Sequence, residues 1–244
     1  MNRFFLLSII LIVIGCSIME DNNTRIIFLG DSITESAVNS KNQAVSVGGK
    51  EIYPEYDGFI HLLKENLNED IELIGKGISG DKVSDLLTRY NRDVIKLNPD
   101  IVFIYIGIND VWHKYDFGTG TDIDLYELGL RQIISDIKNQ GSKIVLCTPT
   151  LIGENTGEFT LGNQFKNVET MENMNRDLDA FSDVIRSLSK EFDTDLIDLR
   201  KIFMSYVTKN NINNQAAGLL TNDGVHLNDL GNKLIADEMI KFIN

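Results

Sequence analysis

Short apolar runs alternate with longer segments of helical period along most of this chain, and this alternation limits its fold more than any other feature. The runs have the length of buried strands and lie at 26–29, 71–74, 101–106, 144–147 and 196–199. Helices are predicted at 56–68, 81–97, 125–139, 169–192 and 229–243. Strands that alternate with helices need crossover connections and form a parallel sheet with helices on both faces. We therefore expect an α/β fold, a three-layer α/β/α sandwich with a five-stranded parallel sheet.

The N-terminal segment has a different pattern. Residues 1–15 combine one positive charge at Arg3 with an apolar run that has signal-peptide length and is too short to span a membrane. The run ends in Val-Ile-Gly-Cys at Cys16, which resembles the lipobox of bacterial lipoprotein signals, in which the cysteine is acylated. This resemblance implies a lipoprotein signal peptide at 1–15, a lipidated tether at 16–24 and one domain at 25–244. It also implies an exported, membrane-anchored protein of the cell envelope. An ordinary signal peptide or a short uncleaved anchor is the alternative.

The charge and the metal-binding residue types exclude some classes of function. The chain has 36 acidic and 23 basic residues and a net charge of −13, which disfavours nucleic acid as a partner. Neither an H-E-x-x-H motif nor paired cysteines occur, and the three histidines are scattered, so no metal site and no cofactor are predicted. Cys147 lies in an apolar run and is predicted to be a buried core residue.

Polar residues with complementary chemistry follow the first predicted strand and precede the last helix. The first strand ends in Gly-Asp-Ser, which places the Ser32 hydroxyl at the carboxyl edge of the sheet, where sites in such folds lie. A helix N-cap is the structural alternative for this serine. A serine nucleophile needs a base, and His226 in the sequence Asp-Gly-Val-His has Asp223 three residues before it. That spacing lets the carboxylate bind one ring nitrogen and leaves the other free to accept the serine proton.

Two further strand ends carry donors for an oxyanion. The third strand is followed by Gly-Ile-Asn-Asp, which directs the Asn109 amide into the same cleft. The second strand is followed by Gly-Ile-Ser-Gly, where the Gly80 N–H is a second donor, and the Ser32 N–H is the third. Asp31, Trp112 and His113 lie beside these groups and are predicted to contact substrate.

Ser32, Gly80, Asn109 and His226 occur in the order of the four residues that name the SGNH hydrolases, and the GDS and DxxH segments resemble the first and last blocks of that GDSL-like family. The resemblance implies a flavodoxin-like sheet. It also implies Ser32 as nucleophile, His226 as base, Asp223 as its orienting acid, and an oxyanion hole of Ser32, Gly80 and Asn109. The implied activity is that of a serine esterase acting through an acyl-enzyme. The acidic surface favours a short acyl group, such as acetyl on carbohydrate.

Three other interpretations remain open. The segment 75–80 is a literal G-x-G-x-x-G between a strand and a helix, a pattern typical of dinucleotide binding. The predicted following strand ends in Gly-Ile-Asn-Asp and does not supply the acidic residue in the usual place. A lysophospholipase or thioesterase would use the same residues on another ester. A catalytically silent surface lipoprotein that binds glycan or protein belongs to a different class.

The segment 151–168 is predicted to be a long loop that lines or covers a cleft.

Overall fold

The computed structural model describes residues 23–154 and 168–243. The strands are β1 (Thr24–Gly30), β2 (Val45–Val47), β3 (Lys50–Ile52), β4 (Ile71–Gly77), β5 (Ile101–Tyr105), β6 (Lys143–Cys147) and β7 (Asp195–Ile197). The helices are α1 (Ser32–Ser36), α2 (Phe59–Asn66), α3 (Val83–Asp93), α4 (Ile108–Asp116), α5 (Ile123–Asn139), α6 (Val168–Phe192), α7 (Leu199–Asn210) and α8 (Asp229–Met239). Short 3₁₀ turns follow α3 at Ile95–Leu97 and α8 at Ile240–Phe242.

The five predicted strands form one parallel sheet in the order β4-β1-β5-β6-β7. Helices α3, α5 and α6 pack in succession, while α2 packs against α8, so helical layers cover the sheet. This arrangement confirms the predicted α/β fold. Strand order reverses at β1, which lies between β4 and β5, and such a reversal opens a crevice at the carboxyl edge of the sheet.

The sheet is apolar along its length because both of its faces are covered. On β1 the side chains Ile26, Ile27 and Leu29 are completely buried. Phe28 stacks on Phe103 of the neighbouring β5, with ring centroids 5.0 Å apart. Cys147 at the end of β6 is also completely buried, as predicted, and burial raises the pKa of its thiol. The buried strands fix the positions of the loops that follow them.

The structure corrects the predicted elements in several places, and it adds α7, which was not predicted. Helix α4 begins at Ile108, shortly after β5, where only a loop was expected, because nine residues are too few to establish a helical period. The last strand ends at Ile197 and not at residue 199, because the Asp198 side chain accepts a hydrogen bond from the Lys201 N–H at 3.1 Å and caps α7. The antiparallel β2–β3 hairpin was not predicted.

Close packing accounts for two glycines of the G-x-G-x-x-G pattern. A Cβ atom at Gly77 would lie 2.1 Å from the Glu35 backbone nitrogen of α1. A Cβ at Gly75 would lie 2.7 Å from a methyl group of Val38. These glycines therefore let α1 and the segment after it approach β4. This packing explains both glycines without a bound nucleotide phosphate.

The predicted lipobox cysteine Cys16 lies outside the described residues, as do residues 155–167 of the predicted long loop. Within residues 23–154 and 168–243, no helix combines the length and the apolar content that crossing a bilayer requires.

Candidate active site

The first residue of α1 is Ser32, which follows β1 after the single residue Asp31. The Asp31 carboxylate accepts a hydrogen bond from the Ile33 N–H at 3.0 Å and caps the helix. The sharp turn from strand to helix leaves the Ser32 side chain partly exposed. Its Oγ lies 3.0 Å from Nε2 of His226, which is 194 positions later in the chain.

His226 is held in turn by Asp223. Its Nδ1 lies 2.7 Å from Asp223 Oδ2. The other carboxylate oxygen, Oδ1, accepts hydrogen bonds from the backbone N–H groups of Val225 at 2.9 Å and His226 at 2.8 Å. The carboxylate thus fixes both the ring and the backbone of the histidine. With Nδ1–H donating to Asp223, Nε2 is left as the acceptor that faces Ser32.

The loop that carries these two residues closes on itself. Thr221 and Leu227 form an isolated antiparallel bridge, and the Asn222 N–H donates to the His226 carbonyl at 2.9 Å. Gly224 makes the turn between Asp223 and Val225 with a φ of 97°, a conformation that favours glycine. The Asp-x-x-His spacing therefore folds as a compact turn with both functional side chains on it.

Burial and hydrogen bonds set the pKa values of this pair. The hydrogen bond to Asp223 raises the pKa of His226 above its usual value and outweighs the opposing effect of burial. Burial acts to raise the pKa of Asp223, but the hydrogen bonds from the His226 ring and from the loop backbone hold it below its usual range. The pair is therefore arranged to favour an imidazolium next to a carboxylate, which is the state formed when His226 takes a proton.

The three groups predicted to donate hydrogen bonds to an oxyanion follow β1, β4 and β5 in the structure. Asn109 is in the first turn of α4 and is 4% exposed, and its Nδ2 donates one hydrogen to the Asp81 carbonyl at 3.1 Å. The amide has a second hydrogen to donate. Gly80 adopts a φ of 82° in the loop after β4. Among residues 23–154 and 168–243, the N–H groups of Ser32 and Gly80 have no protein acceptor.

Three residues that the sequence analysis did not single out hold this edge of the sheet together. The Glu35 carboxylate of α1 accepts hydrogen bonds from the Ser79 N–H at 2.9 Å and from the Ser79 hydroxyl. The buried Asp110 carboxylate accepts a hydrogen bond from the Val83 N–H at 3.1 Å. Both contacts fix the loop around Gly80.

The third is Arg89 of α3, which is 5% exposed. Its Nη2 donates to the Gly30 carbonyl at 2.8 Å and its Nη1 to the Lys76 carbonyl at 3.0 Å, which ties the ends of β1 and β4 together. Its Nε donates to Asp81 at 2.7 Å, and Nη1 also binds Asp93 at 3.0 Å. The guanidinium thus fixes Asp81, whose backbone carbonyl accepts the hydrogen bond from the Asn109 amide.

Asp31, a predicted substrate contact, is 2% exposed in the structure, and its side chain caps α1. Burial raises its pKa to about 7, while the Ile33 N–H and His226 oppose that shift. Asp31 therefore belongs to the support of Ser32.

The two predicted contact residues on α4, Trp112 and His113, have different surroundings. His113 is partly exposed, and its Cε1 would lie 3.9 Å from a Cβ atom at Gly80. Burial, followed by the charge of Lys82, lowers the pKa of His113. The Trp112 side chain is partly buried and packs against the hydrophobic core, with its ring 6.5 Å from that of His113. His113 is thus the predicted contact that borders the Gly80 loop.

Comparison with known proteins places these features in one family. The sequence profile of the GDSL-like Lipase/Acylhydrolase family matches residues 28–234. An acetylxylan esterase of Geobacillus stearothermophilus is 31% identical over 185 residues, which are 73% of this chain and 77% of that protein. An uncharacterized lipoprotein, YqeF, of Bacillus subtilis strain 168 is 23% identical over 190 residues, which are 75% of this chain and 78% of that protein.

Solved structures give the same result. The crystal structure of the acetyl xylan esterase AlAXEase matches with a TM-score of 0.74 and 39% identity, over 90% of this chain and 100% of that one. The acetylxylan esterase Axe2 of Geobacillus stearothermophilus matches with a TM-score of 0.69 and 27% identity, over 92% of this chain and 96% of that one. The chain therefore belongs to the GDSL-like lipase/acylhydrolase (SGNH hydrolase) family and is a carboxylic ester hydrolase.

Proposed function

We propose that the protein is a serine esterase that removes acetyl groups from a carbohydrate, with Ser32 as nucleophile, His226 as general base and Asp223 as the residue that orients the base. The observation that carries the proposal is the continuous chain of contacts from Ser32 Oγ to His226 Nε2 at 3.0 Å and from His226 Nδ1 to Asp223 Oδ2 at 2.7 Å. Together these contacts give the hydroxyl a proton acceptor of fixed orientation.

The reaction begins when Ser32 Oγ attacks the ester carbonyl and its proton moves to His226 Nε2. The carbonyl oxygen becomes an oxyanion, which accepts hydrogen bonds from the Ser32 N–H, the Gly80 N–H and the Asn109 amide. As the tetrahedral intermediate collapses, His226 gives the proton to the leaving sugar oxygen, and the acetyl group stays on Ser32. His226 then removes a proton from water, which attacks the acetyl-serine, and returns that proton to Ser32 Oγ as acetate is released.

The relatives support both the residue roles and the acyl group. Catalytic mutants of the Geobacillus esterase Axe2 replace a serine, an aspartate and a histidine by alanine, and the aspartate and the histidine are three positions apart. Asp223 and His226 have the same spacing. That enzyme and AlAXEase are both acetylxylan esterases, and Axe2 is also described as an acetyl-xylooligosaccharide esterase. We therefore take acetylated xylan and its oligosaccharides as the first substrates to test.

His113 and Trp112 are the residues we propose for the substrate side of the cleft. His113 borders the Gly80 loop and also makes an edge contact with the Phe117 ring, with centroids 5.0 Å apart. An aromatic wall beside the oxyanion donors suits a sugar ring or a short acyl group.

We also propose that the enzyme is exported and anchored by a lipid on Cys16, with residues 25–244 as its catalytic domain. The apolar run that ends in Val-Ile-Gly-Cys supports this proposal. The resemblance to a Bacillus subtilis lipoprotein supports it as well. Globomycin treatment of producing cells blocks lipoprotein signal cleavage, so it should cause a precursor to accumulate, and Cys16→Ser should abolish lipid labelling. A Cys16→Ser variant that is labelled with palmitate as well as the natural protein is would contradict the anchor.

The test of the esterase is hydrolysis of p-nitrophenyl acetate, p-nitrophenyl octanoate and acetylated xylan by the natural protein and by Ser32→Ala. We expect turnover of the acetyl esters, release of acetate from xylan, and loss of all three activities in Ser32→Ala. Ser36→Ala is the matched control, because Ser36 lies exposed on the same short helix and its hydroxyl donates to the Ile33 carbonyl of that helix.

Each alternative has its own outcome in this test. A preference for octanoate over acetate would contradict deacetylation and favour a lysophospholipase or thioesterase. Binding of xylan without turnover of any ester would favour a binding protein. Turnover that survives in Ser32→Ala would contradict the proposed nucleophile.

A further inference from the structure

Glu154 lies seven residues after the end of β6, and its side chain is buried, with 1% exposure. Its carboxylate accepts four hydrogen bonds from one short segment. Oε1 binds the Leu220 N–H at 2.7 Å, the Thr221 N–H at 2.6 Å and the Thr221 hydroxyl at 2.7 Å, and Oε2 binds the Leu219 N–H at 2.7 Å. Three consecutive backbone N–H groups therefore converge on one carboxylate.

This segment leads directly into the loop of Asp223 and His226. The Thr221 hydroxyl, which donates to Glu154, also accepts a hydrogen bond from the Gly224 N–H at 3.1 Å. The Gly224 carbonyl in turn accepts from the Gly153 N–H at 2.8 Å. Glu154 thus binds the chain before the Asp223 turn, and Gly153 binds Gly224, the residue that immediately follows Asp223.

The charge of Glu154 makes this arrangement unusual for a purely structural contact. Within residues 23–154 and 168–243, no basic side chain forms an ion pair with Glu154. Burial of a carboxylate without a cation is unfavourable in free energy. A position that needed only packing would therefore be occupied at lower free energy by an uncharged side chain. Hydrogen bonds to a charged acceptor are shorter and stronger than those between neutral groups, so they hold three N–H groups in a defined geometry.

We propose that Glu154 is a positioning residue for proton transfer, which holds the backbone of residues 219–224 so that Asp223 keeps His226 in line with Ser32. This inference rests on the proposed function of that triad. Displacement of the loop would lengthen the contact from His226 to Asp223 or from His226 to Ser32. A misplacement of about 1 Å at a catalytic group can cost about a hundredfold in rate.

The experiment compares Glu154→Gln and Thr221→Val with the natural protein on p-nitrophenyl acetate. Gln retains the size of Glu154 but turns an amide N–H₂ toward at least one backbone N–H. Val retains the shape of Thr221 but removes the hydroxyl that links Glu154 to Gly224. We expect kcat to fall by about tenfold to a hundredfold, and KM to change by less than about twofold.

The pH profile separates a positioning role from general destabilisation. The hydrogen bond that His226 Nδ1–H donates to Asp223 raises the pKa of His226, so weakening of that bond returns the pKa toward its usual value. The acidic limb of kcat/KM should therefore move to lower pH in both variants. Glu51→Gln, an exposed glutamate on the β2–β3 hairpin, is the matched control and should leave both the rate and the profile unchanged.

Folding is checked by circular dichroism and thermal melting, and rates are measured well below the melting temperature. Folded Glu154→Gln and Thr221→Val with natural kcat and an unshifted acidic limb would overturn the proposal. A rise in KM at constant kcat would also overturn it. Failure of both variants to fold would assign Glu154 a structural role alone. Absence of turnover in the natural protein would refute the proposed esterase, whereas natural turnover with unaffected variants refutes only the role of Glu154.

Discussion

Replacement of Asp223 by Asn removes the charge next to His226 and leaves the shape of the loop intact. The Asn Oδ1 still accepts the backbone N–H groups of Val225 and His226, which Asp223 Oδ1 accepts at 2.9 and 2.8 Å. The Asn N–H₂ then faces His226 Nδ1 and stabilises the wrong tautomer, in which Nε2 carries the hydrogen and cannot take the proton of Ser32.

The size of the effect follows from the geometry. Unit charges 2.7 Å apart, the distance from His226 Nδ1 to Asp223 Oδ2, attract by about 6 kcal/mol at an effective dielectric constant of about 20. The two side chains are 34% and 24% exposed, so solvent screening reduces this value to about 3 kcal/mol. A tenfold change in rate corresponds to about 1.4 kcal/mol, so kcat should fall by about 10² with this screening and by at most about 10⁴ without it.

The assay is steady-state hydrolysis of p-nitrophenyl acetate by the natural protein and by Asp223→Asn. Asp237→Asn makes the same chemical change at an exposed position of α8 and should leave kcat unchanged. Thermal melting checks that Asp223→Asn is folded. A folded Asp223→Asn protein whose kcat falls by less than about tenfold would refute the role of the carboxylate, because the estimate from its charge and tautomer begins at about a hundredfold.

Three further predictions concern the base, the oxyanion donor and the buried arginine. Because Asp223 raises the pKa of His226, kcat/KM should rise with pH to a plateau with its midpoint above 6.5, and a midpoint at or below 6.5 in a pH series would contradict this. Asn109→Ala should lower kcat by about 10² to 10³ at nearly constant KM. A loss of kcat smaller than about fivefold in steady-state assays would exclude Asn109 as a hydrogen-bond donor to the oxyanion. Arg89→Met removes the cation paired with the buried Asp81, whereas Asp93 keeps Arg92, and it should lower the free energy of unfolding in urea by about 3–5 kcal/mol; a loss below about 1 kcal/mol would contradict this role.

The parts of this molecule that the sequence predicts are those encoded locally. The apolar strands and the Gly-Asp-Ser and Asp-x-x-His segments are each contained in a few consecutive residues. The rule that parallel strands end at one edge was enough to expect Ser32 and Asn109 in one cleft, whereas His226 was assigned to it from the Asp-x-x-His spacing and the resemblance to the SGNH hydrolases. The same rule did not distinguish a loop from a helix after β5, because α4 has only nine residues, which is too short a window to establish a helical period.

The supporting residues could not be predicted from local sequence. The contact of Glu154 with Leu220 joins positions 66 apart, and that of Arg89 with Gly30 joins positions 59 apart. Both side chains are charged and would be assigned to the surface by composition alone, yet both are buried. The cap that Asp31 forms on α1 was likewise not predicted, because its place in the Gly-Asp-Ser segment indicates only that it lies near the cleft.

The most direct test of the account is to find which residue a mechanism-based phosphoryl ester modifies. Diethyl p-nitrophenyl phosphate should transfer its diethylphosphoryl group to Ser32 Oγ and release p-nitrophenolate, with loss of esterase activity in proportion to labelling. Peptide mass spectrometry should place the adduct on Ser32 in the natural protein and find none in Ser32→Ala or, at the same exposure, in His226→Ala. A labelled residue other than Ser32, or full esterase activity in protein that is completely labelled on Ser32, would contradict the central claim.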